Sequence, residues 1–338
     1  MDELIETAVI RVVDRAQSAE ARRAAAAMAR DLGFDDTGAG RVSLVATEAG
    51  SNLVKHGGGG EILMQAVPGN DRRGIELLAL DKGPGIANVG ESMRDGVSSS
   101  GTPGTGLGAI ARMADVHDIY SHPDHGTAVL ARFWSDPART APVRRIAVGG
   151  LSVARAGERV CGDDWTLVRR ADGLSIMVAD GLGHGPAAAE AAREATRVFR
   201  ERAAEGPAAA LQMIHDALRS TRGAAAAIAD IDDERGVVTY GGVGNIAGSV
   251  LAGGTRRNMI SHNGTLGHLM RTVNEFTYPW PGDALMVLHS DGLVTHWTLD
   301  AYPGLTGRDA SLVAGVLYRD FARGRDDVTV VVAKPEVA

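Results

Sequence analysis

The segment CGDDWTLVRRADGLSIMVADGLGHGP, residues 161–186, constrains the fold more than any other stretch of the chain. Two apolar runs, WTLV and LSIMVA, lie either side of Ala171-Asp172-Gly173, a turn sequence, so the segment reads as a β-hairpin. Pairing about that turn sets Asp163-Asp164 opposite Ala179-Asp180 at one open end. Carboxylates held that close repel, and at least one should be protonated unless a cation lies between them. A divalent ion resolves the conflict at least cost, because hard cations take oxygen ligands from carboxylates, backbone carbonyls and water.

Length and charge bound what surrounds this hairpin. At 338 residues the chain is long enough for two domains, each with its own core. The net charge of −7 gives no basic face for nucleic acid or anionic lipid, so neither is expected as a partner. The one cysteine, Cys161, excludes a disulfide framework and fits a reducing cytoplasm. The start, MDELIETAVIRVVDRAQ, mixes acids with short apolar runs, unlike a signal peptide. No uncharged run approaches the roughly 20 residues of a membrane span. The expected setting is cytoplasmic.

The first third alternates strand and helix. ETAVIRVV reads as a strand, and SAEARRAAAAMARDLG as a helix capped by Ser18 and stopped by Gly33. GRVSLVATEAGSNLVKHG reads as a second helix, followed by strands EILMQAV and GIELLALD about the turn PGNDRRG. A Gly/Ser-rich stretch from Lys82 to Gly108 opens into the helix AIARMADV, and the strand GTAVLARFW follows. The proline-containing WSDPARTAPVRR lacks an apolar period and reads as a linker. The expected division is a first domain over 1–135, a linker over 136–144 and a second domain over 145–338. In the second domain, hairpins surround two helices that open at Pro186 and Pro207, with a last helix and the strand VTVVVAK at the end. That order suggests sheet on sheet with helices outside.

Three clusters in the first domain suit a nucleotide. Glu48 and Asn52 are four apart on one helix face, a carboxylate and an amide suited to activating an attacking group and holding Mg²⁺. Asp81 ends an apolar strand and precedes Gly83 and Gly85, an acceptor beside close-approach backbone that suits the exocyclic amine of a purine. Gly104, Gly106 and Gly108 lead into a helix whose free N–H groups attract phosphate. Singly, these fit a solvated face, a tight turn and a glycine cluster that is neither a Walker A loop nor a Rossmann fingerprint. In the order Glu…Asn, DxGxG, GTGLG they resemble the GHKL nucleotide-binding fold, in its RsbT-like branch of anti-sigma-type serine/threonine kinases, over roughly residues 5–134. The resemblance implies a Bergerat-type α/β sandwich binding ATP and Mg²⁺. It further implies Glu48 as general base, Asn52 as Mg²⁺ ligand, Asp81 as adenine reader and residues 86–108 as a lid. The glycines run TPGTGLG here, which leaves the phosphate contact of each one open.

In the second domain, acids end four apolar strands: Asp163-Asp164, Asp180, Asp291 and Asp326-Asp327. A single Asp at a strand end is commonly a cap or turn residue; four, two of them paired by a hairpin, are not so easily explained. Asp180 and Asp291 are each followed by glycine, which lets a backbone carbonyl face a ligand. CGDDW, VADGLGHG, RGAAAAIADID, TYGGVGN, LHSDGL and RDDVTVVV together resemble the PPM (type 2C) metal-dependent phosphatases of the RsbX/SpoIIE-like branch, over about 145–334. This implies an αββα sandwich, so that the whole chain is expected to combine α/β and α+β architecture. It implies Asp180 bridging two Mn²⁺ or Mg²⁺ ions, with Asp163 and the Gly181 carbonyl on one side and Asp291 and Asp326 on the other. Asp164 and Asp327 are the less favoured neighbours, and His184 is read as a loop residue near substrate, not a ligand. No arginine is fixed by its context as a phosphate clamp. Two such ions activate a water and clamp phosphoryl oxygens, so hydrolysis needs no covalent intermediate.

The expected protein is a metal-dependent serine/threonine phosphatase joined to an ATP-binding, kinase-like domain. It would act on phosphorylated STAS-domain partners, anti-sigma antagonists or stressosome scaffolds, in a partner-switching stress response. The alternative is a nucleotide-gated regulator whose first domain captures a partner without phosphorylating it.

Overall fold

The computed structural model describes residues 7–69, 72–93, 106–136 and 146–336. They belong to two units, Met1–Val143 with Leu299–Arg319, and Arg144–Thr298 with Asp320–Ala338. Leu299–Arg319, expected with the second domain, is thus grouped with the first. Of the expected linker, only residue 136 lies within the described residues.

The first unit runs β1 (Ala8–Val12), α1 (Arg15–Asp31), α2 (Asp36–Lys55), β2 (Gly60–Gly69), β3 (Arg72–Asp81), α3 (Val89–Ser92), α4 (Gly106–Met113), β4 (Val116–Ser121) and β5 (Thr127–Trp134). Its antiparallel sheet has the order β1-β2-β3-β5-β4. Alternate residues of β3, Ile75, Leu77 and Ala79, enter a core with Val42, Val45, Ala49 and Leu53 of α2 and Ala21, Ala25 and Ala29 of α1. The intervening Glu76, Leu78 and Leu80 are buried as well. They meet Leu299–Arg319: a side chain on Gly315 would lie 3.3 Å from Leu80. Arg132 joins Glu76 to Asp309 and Ser311, and the Tyr318 hydroxyl donates to Glu61 at 3.0 Å. The run LLAL after Glu76, apolar at successive positions, is the sequence mark of a strand buried on both faces.

Two expected boundaries move. The cap of α1 is Asp14, not Ser18: the Asp14 carboxylate accepts from Gln17 N at 2.9 Å while the Gln17 amide oxygen accepts from Val13 N at 2.7 Å. This reciprocal pair satisfies two free N–H groups at once, and Ser18 already sits in the first turn. Likewise α2 starts at Asp36, capped by Asp35, ahead of the expected Gly40. The strand β4 was not expected, and Val116, read as helical, begins it.

The second unit contains β6 (Ile146–Val153), β7 (Asp163–Arg169), β8 (Gly173–Gly181), α5 (Pro186–Arg202), α6 (Pro207–Ala217), β9 (Ala224–Asp232), β10 (Val237–Val243), β11 (Ala247–Ala252), β12 (Thr255–Asn258), β13 (Phe276–Pro279), β14 (Leu285–His289) and β15 (Val328–Pro335). Two five-stranded sheets form, ordered β13-β10-β9-β8-β7 and β12-β11-β14-β15-β6, with every pairing antiparallel. Trp165 of β7 fills the space left by Gly150 of β6 beside Val331 of β15, so the sheets meet face to face. On the outer face of the first sheet, Met177, Ala179, Ala226 and Ile228 pack against Ala192, Ala195 and Phe199 of α5 and Leu211 and Ile214 of α6. Alanine on both helix and strand lets these elements approach closely. The four-residue β12, rich in polar side chains, carried no strand signal in the sequence.

Candidate nucleotide pocket and acidic site

In the first unit, α2 carries Glu48 and Asn52 on one face, both partly exposed. Asn52 lies against the start of α4: a side chain on Gly106 would begin 2.8 Å from its Oδ1. Its Nδ2 is buried without a hydrogen-bond partner. A buried amide nitrogen placed in this way can donate its bond to a water or to a ligand. Asp81, at the end of β3, accepts from Gly83 N at 2.9 Å and from Thr127 N at 3.1 Å. Both bonds fall on Oδ1, which leaves Oδ2 for an external donor. Burial raises the Asp81 carboxyl above its usual range, and the two backbone bonds oppose that shift. Gly85 has φ +74, and any side chain there would strike the His122 carbonyl at 2.2 Å, so the position demands glycine. Gly108 is buried in the first turns of α4. Gly104, and residues 94–105 of the expected lid, lie outside the described residues.

In the second unit, Asp163 and Asp180 are register partners of β7 and β8, and Asp164 faces Ala179. Burial first, and the Asp180 charge second, push the Asp163 carboxyl well above its usual range; the hydroxyls of Ser290 and Thr329 oppose this. Its Oδ2 is buried without a partner. Asp180 is raised to about 7 by burial and then by Asp291, with Asp326 and Asp327 adding to the repulsion. Asp291 follows β14 in the opposite sheet, yet one amide nitrogen, Asn245 Nδ2, donates to Asp291 Oδ2 at 2.8 Å and to Asp180 Oδ2 at 3.2 Å. Asp326 is exposed at the same edge and accepts from Asp327 N at 3.0 Å. Gly181 ends β8 and packs on the Ala188 carbonyl of α5.

The remaining acids are spent on structure. Asp164 accepts from Trp165 N at 2.9 Å and from the Thr196 hydroxyl at 2.6 Å, fastening β7 to α5. Asp327 accepts from Arg155 N at 2.8 Å and from Gly162 N at 2.9 Å, one bond on each oxygen, which holds the 155–162 loop beside Asp163. His184 is half exposed and pairs with Glu158 at 2.7 Å. Cys161 is buried, and burial pushes its thiol far up, which keeps it inert.

Among the described residues no three acidic, imidazole or thiol groups converge into a ready cage. Divalent ions nevertheless fit this donor set. Like charges are crowded into a buried edge, and the orphaned Asp163 Oδ2 lacks the partner that a cation would supply. The side chains of Asp163, Asp180, Asp291 and Asp326 and the Gly181 carbonyl are the groups available to hold them. Sequence reasoning gave Asn245 no role, although it lies in the quoted TYGGVGN segment.

A two-sheet sandwich with acids at one edge has the form of a PPM-type phosphatase domain, and an antiparallel sheet backed by helices, one carrying Glu48 and Asn52, has the form of a GHKL-type ATPase domain. Residues 12–133 match the histidine kinase-like ATPase domain family, and residues 170–336 match the stage II sporulation protein E (SpoIIE) family. The chain is 30% identical over 125 residues to the serine/threonine-protein kinase RsbT of Bacillus subtilis (strain 168), covering 37% of this chain and 94% of RsbT. It is 26% identical over 140 residues to the phosphoserine phosphatase RsbX of the same organism, covering 41% of this chain and 70% of RsbX. A solved chain described under "The bacterial stressosome: a modular system that has been adapted to control secondary messenger signaling" superposes with a TM-score of 0.53 at 30% identity, over 56% of this chain and 100% of that one. RsbX in complex with magnesium superposes with a TM-score of 0.51 at 21% identity, over 59% of this chain and 99% of that one, a likeness of fold. The chain belongs to the RsbT-like histidine kinase-like ATPase family in its first part and carries a SpoIIE-type PPM serine/threonine phosphatase domain in its second. No helix among the described residues is long and apolar enough to cross a membrane.

Proposed function

We propose that the second domain is a two-metal phosphoserine/phosphothreonine phosphatase using Mn²⁺ or Mg²⁺, and that the first binds ATP with Mg²⁺. The observation that carries the phosphatase reading is the edge where Asp163, Asp180 and Asp291 are brought together with one buried carboxylate oxygen left unpartnered. Asp163, Asp180, Gly181, Asp291 and Asp326 are the proposed ligands, and bound ions would supply water activation and charge neutralisation at the phosphoryl group. In the first domain, Asp81 Oδ2 is the proposed adenine acceptor and Asn52 the Mg²⁺ ligand. Glu48 is the proposed general base, with Gly83, Gly85, Gly104, Gly106 and Gly108 around the nucleotide. The similarity to RsbT and RsbX supports phosphorylated STAS-domain proteins as the shared partner, in a cytoplasmic partner-switching response. Joining opposed activities in one chain would raise the effective concentration of each at that partner.

The test is hydrolysis of p-nitrophenyl phosphate by the full chain with Mn²⁺. Turnover that vanishes in Asp180→Ala supports the reading. No turnover with any divalent ion, or turnover indifferent to Asp180→Ala, rejects it.

A further inference from the structure

The two acids bridged by Asn245 come from different sheets: Asp180 ends β8, and Asp291 follows β14. Asn245 lies in the short connection between β10 of one sheet and β11 of the other, so the chain carries this amide across the sandwich at the acidic edge. The preceding residue fixes its place. Gly244 has φ +95, and a side chain there would meet the Ala225 methyl at 2.4 Å. Ala225 is itself the register partner of Asp180. Gly244 N also donates to the His262 carbonyl at 2.8 Å, and Val243 bridges His262. The backbone before Asn245 is therefore pressed onto the strand beside Asp180 and held there from its far side.

We infer that Asn245 is a positioning residue that clamps Asp291 to Asp180 across the two sheets and presets the ion site. This inference rests on the metal reading above. Both bonds from Nδ2 fall on Oδ2 atoms, so Oδ1 of each carboxylate remains available to an ion. The amide is neutral, so it relieves repulsion between the acids without competing as a second cation. Partners that orient ligating carboxylates contribute about 10–100-fold to metal affinity.

The experiment is Mn²⁺ titration of the full chain by calorimetry, for wild type, Asn245→Ala, Asn245→Ser and Asp180→Ala. Asn245→Ala is expected to bind Mn²⁺ about 10–100-fold more weakly, with the same number of sites and a cooperative thermal melt. Asn245→Ser is expected to fall between, since one hydroxyl can serve one acid. Wild-type or tighter binding by Asn245→Ala overturns the clamp and makes Asn245 a mere occupant of the ion's place. If Asn245→Ala does not fold, wild-type affinity in Asn245→Ser overturns it instead. Should wild type bind no Mn²⁺, or Asp180→Ala bind it undiminished, the metal reading fails and takes the clamp with it.

Discussion

The two sites solve opposite electrostatic problems. Around Asp81, one carboxylate is steadied by two backbone N–H groups on a single oxygen, and the unmet need is an orphaned amide on Asn52. Around Asp180, four further acids crowd one edge, and the unmet need is positive charge. The first site is nearly satisfied as it stands, and the groups it leaves free are hydrogen-bonding ones. The second stores repulsion that the Asn245 amide eases in part and that cations, or protons, can neutralise. Removing a charge should therefore raise stability at the second place, with no matching rise at the first.

The largest effect tests that contrast directly. Asp180→Asn should abolish phosphatase turnover while raising the melting temperature of the metal-free protein, by about 2–4 °C for each kcal/mol of repulsion relieved. Asp81→Asn should abolish binding of a fluorescent ATP analogue, leave p-nitrophenyl phosphate turnover intact and give no such rise. A metal-free Asp180→Asn protein that melts below wild type would mean the acids are not in conflict.

Next in size is Glu48→Ala, which separates the kinase reading from the partner-capture reading. Loss of a general base should slow phosphotransfer to a STAS partner by about 10²–10⁴-fold, with ATP-analogue binding unchanged. Equal transfer in both proteins removes Glu48 from the chemistry. No transfer in wild type under any condition favours the nucleotide-gated regulator.

A smaller effect follows from pH. The Asp180 carboxyl, usually near 3.8, is raised to about 7, so between these values the folded metal-free protein holds a proton that the unfolded chain has released. Stability of the metal-free protein should thus fall as pH rises through that window and then level off. Saturating Mn²⁺ should reverse the slope, because the ions compete with protons for the same oxygens. Melting curves across the window, with and without Mn²⁺, check both signs, and a metal-free slope of opposite sign would show that the acidic edge is already neutralised.

The second site was far more legible in the sequence than the first, for a physical reason. Period-two strands about a tight turn fix register, so the Asp163–Asp180 pair followed from counting residues in one hairpin. Asp291 and Asp326 were readable as strand-end acids, but their nearness to Asp180 depends on how two sheets stack. The role of Asn245 was invisible, since a Gly-Asn loop reads as a turn until the crossover between sheets sets its amide between two acids. In the first unit, Glu48 and Asn52 were legible through helix spacing alone. The Asp14 cap is present in the sequence as Asp-x-x-Gln, and Ser18 offers a competing cap residue one turn later. That Leu299–Arg319 sits with the first unit had two separate hints: LLAL without alternation, and SLVAGVL apolar on all sides. Neither names the other as its cover, because pairing distant apolar faces is a property of tertiary packing.

The smallest predicted effect falls on the imidazole that shares the second site's loop. His184 follows the Asp180-Gly181 pair closely in sequence, and an imidazole there is chemically a good ligand for Mn²⁺. Its geometry argues against that use: Nδ1 is engaged by Glu158 at 2.7 Å, and half the side chain faces solvent. An exposed pair of this kind contributes about 0.2–1 kcal/mol. His184→Ala should therefore leave Mn²⁺ affinity within about twofold of wild type, against the 10–100-fold expected from disturbing a true outer partner of the ligands. Calorimetric titration of His184→Ala beside Asn245→Ala compares the two on one scale. If His184→Ala proves the more damaging, the ion is held by the glycine-rich loop after β8 and not by the acids that the two sheets bring together.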